Sequence, residues 1–279
     1  MTHEIDIGLG GGTLLHLANK DHTQMMGYVI KSDGGEVTVI DGGTHKRPKD
    51  AKALYDSIIE RGGRVHNWII THAHSDHIGS LVYILENFKK IEIDMLYFDF
   101  PKRDWFEKVN GIGDNFCVDR LYQLIDEFKI PCSKLYKGQI IGKDVKFEIL
   151  NEGLRNYENY DDANDSGFCI KAYFKNREVL FLGDIGVPAQ NELIKDAKDK
   201  LRCDIVQLAH HGQNGVDYTL YDIVKPKICL WTTPDWLWYN DKGEGVGSGK
   251  WDTLTTRLWM NLLGATEHYI SKDGDYLFK

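Results

Sequence analysis

The sequence predicts an α/β fold in which two mixed sheets pack face to face with helices outside. Three observations predict it. The chain opens with a β-meander and not with a strand–helix–strand unit. Helices and strands then alternate. No low-complexity tract or linker divides the 279 residues, so one domain spanning residues 1–279 is expected. A content of 42% hydrophobic and 27% charged residues supplies enough apolar surface for a sizeable core.

The elements follow in order. Thr13–Leu17, Tyr28–Lys31 and Val37–Ile40 are short apolar runs between Gly, Asp and Asn turns, and read as strands. The helix from Pro48 to Arg61 has Pro at its start, Gly62 at its end, and Ala51, Leu54, Tyr55, Ile58 and Ile59 on one face. A buried strand, Asn67–Thr71, leads into a helix from Asp76 to Phe88. Ile93–Phe98 is a strand, and a less regular stretch to Ser133 holds a helix from Cys117 to Phe128. Val145–Leu150, Phe168–Phe174, Glu178–Leu182, Asp204–Leu208 and Ile228–Trp231 are strands. Pro188–Lys198, Tyr218–Ile223 and Trp251–Leu263 are helices. Glu267–Phe278 reads as a closing hairpin turned at Asp273-Gly274.

A net charge of −8 disfavours a nucleic-acid partner bound through its phosphates. No stretch reaches the roughly 18 apolar residues of a membrane span. Met1–Gly12 has no basic start followed by an apolar run, so no signal peptide is expected. Of five cysteines, Cys169, Cys203 and Cys229 fall in apolar runs and read as reduced core residues, which points to the cytoplasm. Gly8–Gly12 has the look of a phosphate loop but lacks a following Lys-Ser/Thr and a helix. The acidic run Glu158–Asp165 reads as a solvated loop.

The chemistry concentrates in Thr71-His72-Ala73-His74-Ser75-Asp76-His77. Alternate residues of an extended strand end point the same way, so His72 and His74 project together. Asp76 and His77 open the next helix. Imidazole and carboxylate are the donors expected for zinc and related divalent ions.

This stretch matches the H-x-H-x-D-H signature of the metallo-β-lactamase superfamily, and the chain resembles that superfamily from about residue 7 to 278. Val39-Ile40-Asp41-Gly42-Gly43 resembles its early Asp motif, whose Asp is mainly structural. Leu180–Asp184 resembles the strand ending in a metal-bridging Asp, and Leu208–Gly212 the strand ending in a late His ligand. The resemblance implies a four-layer αβ/βα sandwich with metals at the sheet edges. It implies His72 and His74 on a first metal, Asp76 and His77 on a second, and Asp184 bridging both. His210 is assigned to complete the second metal. The adjacent His211 is its rival, because an alternating strand aims only one of the two inward.

The family supplies a third His to the first metal, yet no histidine lies between His77 and His210. Asn164-Asp165-Ser166 resembles the N-x-S pattern of two branches, the competence-type DNA-uptake hydrolase domains and the phosphorylcholine-esterase-like proteins. Asn164 or Asp165 is the expected replacement. The resemblance implies one to two divalent ions, zinc first, with manganese or iron as alternatives. A metal-bound hydroxide would attack carbon or phosphorus. Asp76 and His211 are the expected catalytic residues, His211 either as leaving-group acid or as a partner of the ligands. The implied substrate is a small-molecule phosphodiester or phosphate ester. A carboxyl ester, lactone or β-lactam is the alternative, and a metal-binding module without turnover is the third reading. The Trp- and Gly-rich loop Trp231–Trp251 is expected to cover the site.

Overall fold

Short runs of β-branched and aromatic residues build two large sheets and one two-stranded sheet, Arg64–Val65 with Glu92–Ile93, in the computed structural model, which describes residues 2–88, 91–110, 115–155 and 163–279. The first sheet runs Thr2–Ile5, Asp275–Phe278, Gly12–His16, Tyr28–Ser32, Val37–Ile40, Asn67–Ile69, Leu96–Tyr97, Cys132–Ser133. The second runs Ile140–Ile141, Lys146–Ile149, Ile170–Tyr173, Glu178–Phe181, Ile205–Gln207, Ile228–Trp231, Glu267–Ile270. In each sheet a run of antiparallel pairs gives way to parallel ones: at Val37–Ile40 beside Asn67–Ile69, and at Glu178–Phe181 beside Ile205–Gln207. Parallel neighbours align the ends of their strands, so the loops after them gather at one edge.

Leu14, Tyr28, Ile40 and Ile69 of the first sheet share one buried core with Phe147, Ile170, Phe181 and Leu230 of the second. Helices cover the outer faces. Ala51, Leu54 and Ile58 of Pro48–Glu60 and Ile78 and Leu81 of Ser75–Asn87 pack with Val39 and Trp68. Leu193 of Val187–Leu201, Leu220 of Tyr218–Val224 and Met260 of Thr253–Leu262 pack with Leu180 and Val206. Each such fully buried aliphatic side chain contributes about 1.5–3 kcal/mol. The arrangement is the four-layer αβ/βα sandwich.

Several elements differ from the sequence reading. The expected strand Ile93–Phe98 is two strands in different sheets, Glu92–Ile93 beside Arg64–Val65 and Leu96–Tyr97 beside Asn67–Ile69. Glu267–Ile270 and Asp275–Phe278 are not a hairpin. The former pairs in parallel with Ile228–Trp231 in the second sheet; the latter pairs in parallel with Thr2–Ile5 and antiparallel with Gly12–His16 in the first. The Asp273-Gly274 turn therefore carries the chain between sheets. Thr2–Ile5 is itself a strand, made by that distant pairing. Arg103–Asn110 is a helix inside the stretch read as irregular. Gly10 and Gly11 form a turn against Lys175 and Asn176, whose backbone amides donate to Gly10 and Leu9 carbonyls. Residues 158–162 of the acidic run lie outside the described residues.

Candidate metal centre

The site is assembled where the parallel strands of both sheets end. Asp41 follows Val37–Ile40, and Thr71 and His72 follow Asn67–Ile69. Asp184 follows Glu178–Phe181, and His211 follows Ile205–Gln207. The Gln207 side chain clamps the second pair of strand ends. Its Oε1 accepts from Leu182 and Gly183 amides at 2.8 Å each, and its Nε2 donates to the Gly183 carbonyl at 3.0 Å.

Asp76, His77, Asp184 and His211 come together, each offering a donor atom within 4.8 Å of the others. His77 Nε2 and His211 Nε2 each lie 3.1 Å from Asp184 Oδ2, and His211 Nε2 is 3.2 Å from Asp76 Oδ2. Both rings are fully buried, and Asp184 is 2% exposed. His77 Nδ1 sits 2.8 Å from Asp41 Oδ2, and His211 Nδ1 sits 3.0 Å from the Thr232 carbonyl. An Nδ1 facing an acceptor carries the proton, so each Nε2 presents a lone pair to the cluster. His77 Nε2, His211 Nε2 and Asp184 Oδ1 have no hydrogen-bond partner among the described residues. Buried polar atoms left this way cost about 1–3 kcal/mol each unless something satisfies them.

A divalent cation fits this donor set. Donors about 2.0–2.1 Å from one zinc at tetrahedral angles stand about 3.3 Å apart, close to the 3.1–3.2 Å separations here. With no cation bound, protons take its place. Burial opposes a charge on His211, but Asp184 and Asp76 outweigh it and push its pKa up to about 9. Burial likewise opposes a charge on His77, yet Asp184 and Asp41 raise it well above the ordinary histidine value. Burial alone would raise the Asp76 and Asp184 carboxyls, yet the facing rings hold both below the usual range.

A second pair adjoins the first cluster. His72 Nε2 and His74 Nδ1 face one another at 3.1 Å, and the His72 and His77 rings lie 4.0 Å apart between centroids. Asn164 is buried in the short turn Ala163–Ser166. That turn abuts His72: a Cβ added to Gly167 would lie 3.0 Å from the Asn164 carbonyl oxygen and 3.6 Å from His72 Cβ.

Residues 26–278 match the metallo-beta-lactamase superfamily. The chain belongs to that superfamily. Its fold is similar to that of the metallo-beta-lactamase fold protein YhfI from Bacillus subtilis, with 12% identity, 96% of this chain and 99% of that chain covered, and a TM-score of 0.56. It is also similar to CmlA, a diiron beta-hydroxylase from Streptomyces venezuelae, with 13% identity, 93% of this chain and 52% of that chain covered, and a TM-score of 0.53. The chain thus spans about half the length of CmlA. No curated protein matches the sequence.

Within this metallo-beta-lactamase site, two sequence expectations change. The ring that joins the cluster is His211, not His210. The strand stops at Gln207, and Ala209–Gly212 form a turn with His210 and His211 both at left-handed φ, 50° and 59°. Strand alternation therefore no longer decides which ring points inward. His210 instead meets the Asn214 carbonyl through Nδ1 at 3.1 Å. Asp165 is also engaged elsewhere, because its Oδ1 accepts from Gly186 and Ala189 amides at the start of Val187–Leu201. A carboxylate is stabilised there by the helix N-terminus.

The tryptophan loop is better fastened than its glycines suggest. Trp231 is buried under the His211-Gly212 turn, where a Cβ on Gly212 would lie 2.4 Å from its ring. Trp238 packs edge-on to Trp231, and the Arg257 guanidinium lies 4.0 Å from its centroid, already filling a cation's place. Asp241 Oδ1 accepts from Gly243 and Gly245 amides at 2.7 and 2.9 Å. Trp236 and Trp251 remain as a tilted pair at 4.8 Å, and Trp236 Nε1 donates to the His22 carbonyl.

The sequence reading missed how much Asp41 does. The family pattern makes it mainly structural, yet here it orients His77 directly. Its signal is present in the sequence: a carboxylate directly at the end of the apolar strand Val37–Ile40, followed by Gly42-Gly43.

Proposed function

We propose that this chain is a metal-dependent hydrolase of a small-molecule phosphodiester or phosphate ester. The observation that carries the reading is the convergence of Asp76, His77, Asp184 and His211, with both imidazoles fixed to present Nε2. Bound there, a divalent ion activates water and neutralises charge that develops on the substrate. The protein's own part is to hold Asp76, Asp184, His77 and His211 in place and to keep the donors dry. The acidic net charge favours a small substrate over nucleic acid, and the N-x-S turn at Asn164 favours the phosphodiesterase branches. Zinc is the ion we assign first. Manganese and iron are its competitors, and similarity to a diiron enzyme keeps iron in the comparison. No helix among the described residues is long and apolar enough to cross a membrane. Buried thiols at Cys169, Cys203 and Cys229 fit a reducing compartment, and we place the protein in the cytoplasm.

The test loads the protein with zinc, manganese or iron(II) and compares bis(4-nitrophenyl) phosphate, 4-nitrophenyl acetate and a chromogenic β-lactam. Diester turnover abolished by chelator is the expected result. Turnover of the carboxyl ester or lactam alone would move the assignment to the alternative class. Full metal content without turnover of any substrate would make the chain a binding module.

We assign Asn164 to the place of the third histidine in the family pattern at the His72/His74 position, and we expect that position to hold its ion more weakly. Mild chelator should remove one metal before the other, and Asn164→His should slow the early loss. Simultaneous release of both ions, followed by elemental analysis during dialysis, would contradict this.

A further inference from the structure

We infer that the Thr71 hydroxyl, seated on Asp41, positions His72 and sets the strength of the His72/His74 metal position separately from its neighbour. The inference rests on the metal-centre reading above.

Thr71 is 1% exposed and fixed from both halves of the site. Its amide donates to Asp41 Oδ1 at 2.8 Å, and its carbonyl accepts from Phe168 of the second half at 3.1 Å. A Cβ on Gly183 would lie only 3.3 Å from Thr71 Cβ. Thr71 Oγ1 stands 2.8 Å from Asp41 Oδ2, 3.0 Å from Asp41 Oδ1 and 3.1 Å from His72 Nδ1.

A hydroxyl has one proton to give and two lone pairs. An ionised carboxylate only accepts, so the Thr71 proton goes to Asp41. Toward His72 the oxygen must then accept, and His72 Nδ1 must carry the ring proton. That leaves His72 Nε2 bare, facing His74 Nδ1 at 3.1 Å. His77 is fixed differently: its Nδ1 is 2.8 Å from Asp41 Oδ2 and 3.4 Å from Thr71 Oγ1, so the carboxylate holds it without help. One buried carboxylate thus orients one ring of each position, His77 directly and His72 through a single hydroxyl. Removing that hydroxyl takes one donor from Asp41, which keeps the Thr71 amide and its bond to His77, and deprives His72 of its acceptor.

Thr71→Val keeps the side-chain shape, and Thr71→Ser keeps the hydroxyl. The experiment titrates cobalt(II) into the metal-free protein, followed by visible absorption and calorimetry, with His72→Ala marking which step belongs to the His72/His74 position. Thr71→Val is expected to weaken that step roughly 10–100-fold, the usual effect of losing a partner of a ligand, and to leave the other step and its spectrum unchanged. Thr71→Ser is expected to restore both. Equal weakening of the two steps, no weakening, or failure of serine to restore affinity in a folded variant would each overturn the role of Thr71. Absence of cobalt binding to the unaltered protein would overturn the metal-centre reading itself.

Discussion

Replacing His211 by Ala is expected to abolish tight metal binding at the Asp76/His77/Asp184 cluster and to lower hydrolysis roughly a thousandfold. Replacing His210 by Ala is expected to leave the metal content unchanged. The size follows from the several kcal/mol of charge stabilisation that a bound ion supplies to a transition state. The two variants control for each other. Both positions have left-handed φ, 59° and 50°, so alanine carries similar backbone strain at each. What differs is the ring. His211 Nε2 faces Asp184 and Asp76 at 3.1 and 3.2 Å, whereas His210 Nδ1 meets the Asn214 carbonyl. Elemental analysis of both purified proteins decides between them. Loss of metal from the His210 variant, with metal retained in the His211 variant, would restore the assignment drawn from sequence.

The metal-free protein is expected to lose stability as pH rises from about 6.5 to about 9. The folded protein holds His211 protonated up to about 9, with His77 raised in the same direction. In the unfolded chain both return to roughly 6.5. A raised folded pKa contributes stability that is complete below the unfolded value and vanishes as pH climbs through the folded one. Asp76 and Asp184 are depressed, so their contribution is present above the unfolded carboxylate value near 4 and fades only in acid. The four groups share one set of interactions, which is counted once and amounts to a few kcal/mol. A divalent ion replaces those protons, so the loaded protein should not soften over the same window. Thermal melts of chelated and loaded protein between pH 6 and 9.5 measure this. A chelated protein whose Tm stays level to pH 9 would contradict it.

The parts of this site legible in the sequence are those that are local in the chain. His72, His74, Asp76 and His77 lie within six residues, and an apolar strand delivers them together. Asp184 was legible because Gly183 and an apolar run precede it. The choice between His210 and His211 was not, because it depends on a turn that abandons strand geometry after Leu208, with both histidines at left-handed φ. The role of Asp165 was hidden for a related reason: the helix start that claims its carboxylate lies some twenty residues further on. The fold shows the same division. Amphipathic spacing announced Pro48–Glu60, whose core face is Ala51, Leu54 and Ile58. The closing strands looked like a hairpin because alternation and an Asp-Gly turn describe local shape only. Their real partners, Ile228–Trp231 and Thr2–Ile5, are fixed by which sheet each strand can complete. Arg103–Asn110 spans only eight residues, about two turns, inside a stretch with no other regular pattern.

The most direct test of the metal centre is anomalous diffraction from crystals of the loaded protein, recorded on both sides of the metal's absorption edge. Two peaks roughly 3.5–4 Å apart are expected, one bounded by Asp76, His77, Asp184 and His211, the other by His72 and His74. Absence of a peak among Asp76, His77, Asp184 and His211 in protein shown to contain metal, or a peak ligated by His210, would contradict the account.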